Sequence, residues 1–241
     1  MYYFLLIIFA LLPSFIWLLF FLRKDAHPES NQMVLKVFFW GMLATLPIIS
    51  FSFLIEVLGF TEDISKFLSS SVLIQILYFF LGIALVEEIL KYLVVSGKIL
   101  RSSELDEPLD LMLYMIIAAL GFAALENILY LLRPEDISGV FLTNVFRFLA
   151  PVFGHALWSG TLGYFLALSL YEPKRKLKLL TLGFALAIFL HAAFNYAIIQ
   201  IMETENLAWI LLIIIMLISL AIFIIFGFKR LQKLKSVCKI K

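Results

Sequence analysis

The sequence predicts an all-α fold, a polytopic bundle of about seven transmembrane helices. Of its 241 residues, 63% are hydrophobic, and apolar stretches recur along the whole chain. A helix needs about 20 mainly apolar residues to cross the hydrocarbon core of a bilayer. Seven segments are long enough, at about 2–22, 33–55, 72–97, 109–132, 141–170, 176–201 and 207–228.

The positions of the basic residues predict the orientation of the bundle. Lysine and arginine concentrate after the first, third, fifth and seventh segments, and basic loops remain on the cytoplasmic side. We therefore expect the N-terminus outside and the C-terminus inside, with a basic cytoplasmic tail at 229–241. Arg23 and Lys24 follow the first segment and no basic stretch precedes it, so we expect a span rather than a cleaved signal peptide.

Composition limits the domain organisation and the partners. The connecting segments are short, so we expect one integral membrane domain, 1–241, in the cell membrane. The 19 basic and 17 acidic residues nearly balance and form no basic patch. This balance predicts that the protein binds no nucleic acid. The apolar segments predict the lipid bilayer as the partner of the protein surface.

Proline at internal positions predicts two irregular helices. Pro151 and Gly154 lie in the long fifth segment, so we expect a kink there or a separate short helix that begins at about Leu142. Pro47 is expected to kink the second segment.

Three ionisable residues, Glu87, Glu88 and Lys91, lie inside the third segment. A charge near the centre of a bilayer costs at least about 2.5 kcal/mol on insertion scales, so such residues normally face the interior, have partners and serve function. Adjacent carboxylates with little water around them resist ionising together, so we expect one to hold a proton while the other acts as a base. Lys91 lies one helical turn further on, within reach of either carboxylate.

Later segments contain further polar residues. The fourth carries Glu126 and Asn127, the fifth His155, and the sixth His191 and Asn195. His191 and Asn195 are four residues apart, so they share one helix face. Five polar residues in apolar surroundings indicate a common polar site inside the bundle.

The helical rise of about 1.5 Å per residue predicts the depth of these side chains. The glutamate pair and the two histidines are expected near the midplane, whereas Glu126 and Asn195 lie nearer the outside. The sequence therefore predicts a polar pocket that begins at the midplane and opens to the outer leaflet.

Structural roles are the alternative for several of these residues. A single asparagine in a transmembrane helix is most often a hydrogen-bond partner of a neighbouring helix, and for Asn127 and Asn195 this alternative is equally good. A buried Glu–Lys ion pair is also a structural alternative, although it leaves the second carboxylate unexplained. Trp158 is expected to pack in the core, and Ser159 to bond either His155 or its own helix backbone.

Together these side chains contain the groups that peptide hydrolysis requires. A carboxylate and an imidazole can activate water, a histidine with Asn195 can stabilise the oxyanion, and a protonated glutamate can supply the proton for the leaving amine. Neither a GxSxG nor an HExxH motif is present. Carboxylates and imidazoles also bind metals, so a divalent ion such as zinc remains an alternative. The spacing of these residues along the sequence does not support a metal site.

Three motifs, in order, resemble a known family. EEILK at 87–91, FAALEN at 122–127 and HAAFN at 191–195 are similar to the EExxK, FxxxEN and HxxxD/N signatures of PrsW-type intramembrane proteases. These proteases are distant relatives of the CAAX prenyl endopeptidases and of bacteriocin-immunity-type membrane proteases. The region that carries the motifs, 72–200, is the expected catalytic core. His155 lies in this region but has no firm counterpart in the family pattern.

The resemblance implies a glutamate-dependent membrane endopeptidase. The family's glutamate pair falls on Glu87 and Glu88, its FxxxEN acid on Glu126 and its late histidine on His191. The resemblance further implies a membrane protein substrate, a single-span anti-sigma factor cut on its extracytoplasmic side as the first step of regulated intramembrane proteolysis. Asn195 stands where the family often has aspartate, so an acidic role is not expected there.

We therefore predict an intramembrane endopeptidase. The predicted catalytic residues are Glu87, Glu88, His155 and His191, and the predicted supporting residues are Lys91, Glu126, Asn127 and Asn195. A proton- or cation-coupled transporter that uses the same carboxylates is the main alternative, although the chain has no second, repeat-related set of motifs. A haem protein with the two histidines as axial ligands is the third.

Overall fold

The computed structural model describes residues 2–25, 27–50, 71–100, 102, 105–134 and 136–234. These residues form helices and short connections, with no strand among them. The helices are α1 (Tyr2–Leu22), α2 (Asn31–Leu43), α3 (Val72–Lys98), α4 (Pro108–Leu131), α5 (Ile137–Leu149), α6 (Pro151–Tyr171), α7 (Lys176–Thr204) and α8 (Leu207–Leu231).

The predicted membrane bundle is confirmed. The described residues contain seven helical segments that are long and apolar enough to cross a bilayer. The second segment is described as far as Ser50, so its predicted end at 51–55 lies outside the described residues, as does most of the predicted tail, at 235–241. The orientation of the termini stays a prediction.

The second and fifth segments, which are expected to be irregular, are both interrupted. The fifth consists of α5 and α6, which meet at Ala150, where φ and ψ are −124° and −73°. Pro151 opens α6 because it lacks an N–H and its ring cannot follow a preceding helical turn. The second segment leaves the α-helix after Leu43 and becomes helical again at 46–50, around Pro47.

Helix α4 lies at the centre of the bundle and is buried along nearly its whole length. It packs against α1, α2, α6 and the C-terminal half of α3. A Cβ atom on Gly121 would lie 2.0 Å from the carbonyl oxygen of Phe38, and one on Gly41 would lie 2.2 Å from that of Ala118. The backbones of α2 and α4 therefore touch, as small residues permit in membrane helices.

Helix α3 changes its winding just before the glutamate pair. It is α-helical over Val72–Leu77, π-helical over Tyr78–Ala84 and α-helical again over Leu85–Lys98. Short π-helical turns are frequent at functional sites because they widen the helix and reorient the following side chains. The first acid, Glu87, lies three residues after this π-helical segment.

Candidate active site

Four helices bring polar side chains into one cluster inside the bundle. Helix α3 contributes three of the side chains, α4 one, α6 two and α7 one, and hydrogen bonds or ion pairs link them. The members of this polar cluster are Glu87, Glu88, Lys91, Glu126, His155, Ser159 and His191.

Lys91 lies at the centre of the polar cluster and is completely buried. Its Nζ atom lies 2.7 Å from Glu88 Oε1, 3.3 Å from Glu87 Oε2 and 2.9 Å from His155 Nδ1. The ring centroid of Phe122 lies 4.5 Å from the same atom. An ammonium group has three protons and accepts no hydrogen bond, so His155 Nδ1 is the acceptor and the proton of this imidazole is on Nε2.

Glu88 is fully engaged by neighbouring donors. Its Oε1 atom accepts from Lys91 and lies 3.2 Å from His191 Nδ1, while Ser159 Oγ donates to its Oε2 atom at 2.7 Å. Of the two partners expected for Ser159, the structure thus shows neither, because the hydroxyl bonds the carboxylate. A carboxylate in contact with His191 Nδ1 favours a proton on that nitrogen and a lone pair on Nε2.

Glu87 has a different environment from its neighbour. Its Oε2 atom lies 3.7 Å from His191 Nε2 and 4.0 Å from His155 Nδ1. Both distances are too long for a direct hydrogen bond, and polar atoms so separated are commonly bridged by a water molecule. Glu87 and the inward-facing nitrogens of the two imidazoles therefore form a place where one small ligand can be held.

Glu126 and Arg147 extend the cluster to a more exposed position. Glu126 Oε2 lies 3.1 Å from His155 Nε2 and 2.7 Å from Arg147 Nη2. The Glu126 side chain is 21% exposed, whereas those of Glu87 and His155 are 8% and 4% exposed. Access to the cluster is therefore greatest beside Glu126.

Sequence reasoning missed Arg147 as a site residue. This arginine falls inside the apolar segment 141–170, and an arginine inside a membrane segment is itself a signal of a buried partner. The structure buries it, with 4% of its surface exposed.

The two predicted asparagines lie in different settings. Asn127 Nδ2 donates to Ala10 O at 2.6 Å and to Asn144 Oδ1 at 2.8 Å, so it links α4 to α1 and α5. Its Oδ1 atom accepts from Arg147 Nε at 2.7 Å. Asn195 is half-buried one turn after His191, and no hydrogen bond joins its side chain to another described residue.

Trp158 packs between the two imidazoles. Its ring stacks on His191 with centroids 4.8 Å apart and meets the edge of His155 at 5.2 Å. A Cβ atom on Gly154 would lie 2.2 Å from two carbons of this ring, so the glycine leaves the space that the indole fills. The indole thereby holds the planes of both imidazoles.

Comparison with protein families assigns the chain to one of them. The model described as "PrsW family intramembrane metalloprotease" matches residues 29–224, well over half of the sequence. The chain belongs to the PrsW family of intramembrane proteases. It is therefore a multi-pass membrane peptidase that acts on a membrane protein substrate, and the transporter alternative is not favoured.

Curated relatives in the PrsW family cover most of the chain. It is 34% identical to Protease PrsW of Oceanobacillus iheyensis over 184 residues, 76% of this chain and 78% of the relative. It is 32% identical to Protease PrsW of Geobacillus kaustophilus over 180 residues, 75% and 73% of the two chains. With Protease PrsW of Bacillus subtilis the identity is 28%, over 93% of each chain. No solved structure matches.

The donors around Glu87 fit a divalent ion, as the description of the PrsW family implies. Glu87, His155 and His191 each offer one ligand atom, and these atoms lie within 4.8 Å of one another. Ligand atoms of a tetrahedral zinc ion, with bonds of about 2.0–2.2 Å, are separated by roughly 3.4 Å. The far nitrogen of each imidazole also contacts a carboxylate, the usual arrangement for metal-binding histidines. Such an ion would require Lys91 to release His155 Nδ1.

Proposed function

We propose that this chain hydrolyses a peptide bond of its substrate with Glu87 as the general base. The observation that carries the proposal is the arrangement of Glu87 Oε2 opposite the inward-facing nitrogens of His155 and His191, at 4.0 and 3.7 Å. A water molecule held among these atoms has a carboxylate to receive its proton and the His191 imidazole to orient it, and His155 would assist when Lys91 releases Nδ1.

The proposed reaction has two proton transfers. Glu87 removes a proton from the water as its oxygen attacks the carbonyl carbon of the peptide bond. The same proton is then delivered to the amide nitrogen as the carbon–nitrogen bond breaks, which leaves one carboxyl and one amino product and regenerates the carboxylate.

Lys91 and Glu88 support this step electrostatically. The Lys91 ammonium, 3.3 Å from Glu87 Oε2, places a positive charge beside the developing oxyanion. Glu88 binds both Lys91 and His191 and thus fixes their positions, and its oxygens are already occupied. Asn195 stays a predicted oxyanion donor one helical turn from His191.

A divalent ion such as zinc is the alternative centre of the same site. Glu87, His155 and His191 would hold it, and it would supply Lewis-acid polarisation and a more acidic water molecule. In that case Glu88 and Glu126 would orient the two imidazoles through their far nitrogens.

The proposed substrate is a single-span anti-sigma factor cut near its extracytoplasmic end. Greater exposure at Glu126 supports an entrance on that side of the polar cluster, because Glu126 lies near the C-terminal end of α4, which is predicted to face outward. A substrate helix that unwinds at the membrane surface would present its peptide bonds there.

Co-expression with single-span membrane proteins encoded in the same genome tests the proposal. Fragments should appear with the wild-type chain, disappear with Glu87→Gln and persist with Glu203→Gln, a control whose carboxylate is exposed and, among the described residues, bonds only Gln200. Cleavage by the Glu87→Gln variant at the wild-type rate would reject Glu87 as the base. N-terminal sequencing of the fragments locates the cut, and a cut at the cytoplasmic end would reject the proposed direction of entry.

Metal analysis of the purified protein separates the two forms of the mechanism. One zinc per chain, lost in His191→Ala together with activity, would assign the ion to the donors around Glu87. Full activity in protein freed of metal would assign the reaction to the glutamate alone.

A further inference from the structure

Helix α5 buries two of its polar residues against the protein and exposes most of its large apolar side chains. Phe141 and Leu142 are exposed, while Asn144 and Arg147 are buried. An exposed apolar face suits a helix in contact with lipid, but an arginine turned inward from such a helix is costly unless it is paired. The position of Arg147 therefore requires an explanation from its contacts.

Arg147 makes three contacts with one face of α4. Its Nη2 atom donates to Glu126 Oε2 at 2.7 Å, and its Nε atom donates to Asn127 Oδ1 at 2.7 Å. The guanidinium carbon lies 4.0 Å from the ring centroid of Tyr130. Two hydrogen bonds and one ring contact hold the planar guanidinium in a single orientation. A lysine ammonium could not make the same set of contacts.

The contact with Glu126 reaches the imidazole of His155. The oxygen that accepts from Arg147 also lies 3.1 Å from His155 Nε2. The other nitrogen, Nδ1, faces Lys91 and Glu87. A neutral imidazole has two tautomers, and the hydrogen bond at one nitrogen decides which is present. Lys91, as the donor at Nδ1, and Glu126, as the acceptor at Nε2, therefore favour the same tautomer, and Glu126 holds the outer edge of the ring.

We propose that Arg147 is a positioning residue of the peptidase site: it anchors Glu126 Oε2 beside His155 Nε2 and thereby fixes the orientation of the His155 ring. The carboxylate of Glu126 is partly exposed, so without this anchor its side chain is free to turn outward and leave the imidazole without an acceptor. The inference rests on the proposed role of His155 in hydrolysis. It holds whether water or a metal ion occupies the centre, because both need the His155 ring held in one orientation.

Arg147→Met tests the proposal, since methionine keeps most of the volume and removes every donor. Arg133→Met is the matched control, because Arg133 also lies over the Tyr130 ring, at 4.4 Å, yet is exposed and pairs with no described carboxylate. Arg147→Lys retains the charge without the fork and serves if the methionine variant fails to fold.

The first measurement is the hydrogen bond at His155 Nε2, from ¹H and ¹⁵N NMR of protein labelled at histidine. The chain has only three histidines, so variants at His27 and His191 assign the signals. Wild type and Arg133→Met should share one Nε2–H signal at the low field of a hydrogen bond to a carboxylate, while in Arg147→Met this signal should move upfield or exchange with solvent. An unchanged His155 signal in both Arg147 variants would overturn the proposal, even if the chain proved to cleave no substrate.

The second measurement is kinetic, with the single-span protein found by co-expression as substrate. Loss of groups that orient an active-site imidazole typically costs roughly 10- to 100-fold, so kcat of Arg147→Met should fall by at least about tenfold with KM nearly unchanged. Arg147→Lys should recover only part of the loss. Arg147→Met should add nothing to the loss in a Glu126→Gln background, because both changes break the same link.

Other kinetic outcomes count against a positioning role. A raised KM with unchanged kcat would mean that Arg147 contacts substrate directly. Wild-type kcat per folded molecule, with lowered thermal stability alone, would mean that the arginine only holds α5 to α4. Losses that multiply in the double variant would show that Arg147 and Glu126 act separately.

Discussion

Glu87 and Glu88 lie against opposite nitrogens of one imidazole, that of His191. Glu88 Oε1 is 3.2 Å from Nδ1, and Glu87 Oε2 is 3.7 Å from Nε2. Neighbouring side chains on a helix point about 100° apart. Glu88 can therefore contact Nδ1 of the ring while Glu87 faces the space beside Nε2. Two residues that look alike in sequence are therefore expected to respond differently to mutation.

Glu87→Gln is expected to abolish cleavage and leave folding unchanged. The amide keeps the size of the side chain but cannot receive a proton from water. Glu88→Gln is expected to lose cleavage and also stability, because the replaced carboxylate accepts from Lys91, Ser159 and His191. Substrate cleavage and thermal unfolding in detergent measure the two effects. Equal stability of the two variants would contradict the separate roles.

The sequence predicted the composition of the site better than its connections. Periodicity and depth place Glu87, His155 and His191 inside the bundle at comparable levels, because both follow from the rise and turn of a single helix. Contacts between helices depend on crossing angles and on where a helix breaks, and neither is visible in one segment. The break at Ala150 separates the helix of Arg147 from that of His155, so the partners of Arg147 could not be predicted.

Lys91→Met is expected to lower stability by about 3–5 kcal/mol, the typical cost of removing one partner of a buried ion pair. Lys91 is fully buried, and its removal leaves Glu87, Glu88 and His155 Nδ1 without their shared donor. Lys98→Met is the control, since Lys98 lies over the Trp40 ring at 4.0 Å. Thermal unfolding of both variants should show a large loss for the first and a small loss for the second.

A second substitution separates the charge of Lys91 from its packing. In a Glu88→Gln background, Lys91→Met should cost less than it does alone, because fewer negative charges are left unpaired. An equal cost in both backgrounds would mean that the side chain stabilises the bundle through its methylene groups and its contact with Phe122.

Gly154→Ala is expected to reduce activity by moving an aromatic ring. The added methyl group would lie 2.2 Å from the Trp158 indole, which must shift from its stacked position on His191. Overpacking of this kind costs about 1–3 kcal/mol of stability. Gly97→Ala is the matched control, because a methyl group there meets no atom within 4 Å. Equal cleavage rates in the two variants would show that the position of the indole does not matter.

Glu29→Gln is expected to change how stability depends on pH. Glu29 lies in the connection between α1 and α2 and accepts a hydrogen bond from Tyr114 Oη. Burial raises the pKa of Glu29 above its ordinary value of 4.5, and the hydrogen bond from Tyr114 offsets this only in part. The folded protein therefore holds this proton more tightly than the unfolded chain. Its stabilising effect is fully present below pH 4.5 and is lost as the pH rises through the raised pKa.

Glutamine cannot ionise, so the Glu29→Gln variant should gain stability relative to wild type as the pH rises from about 4 toward neutrality. Thermal unfolding in detergent at a series of pH values measures this difference, with Glu203→Gln as the exposed control. A constant difference between variant and wild type across the series would show that Glu29 does not titrate in this range. A difference that grows toward low pH would reverse the sign and would mean that Glu29 is stabilised as the carboxylate, by its hydrogen bond with Tyr114.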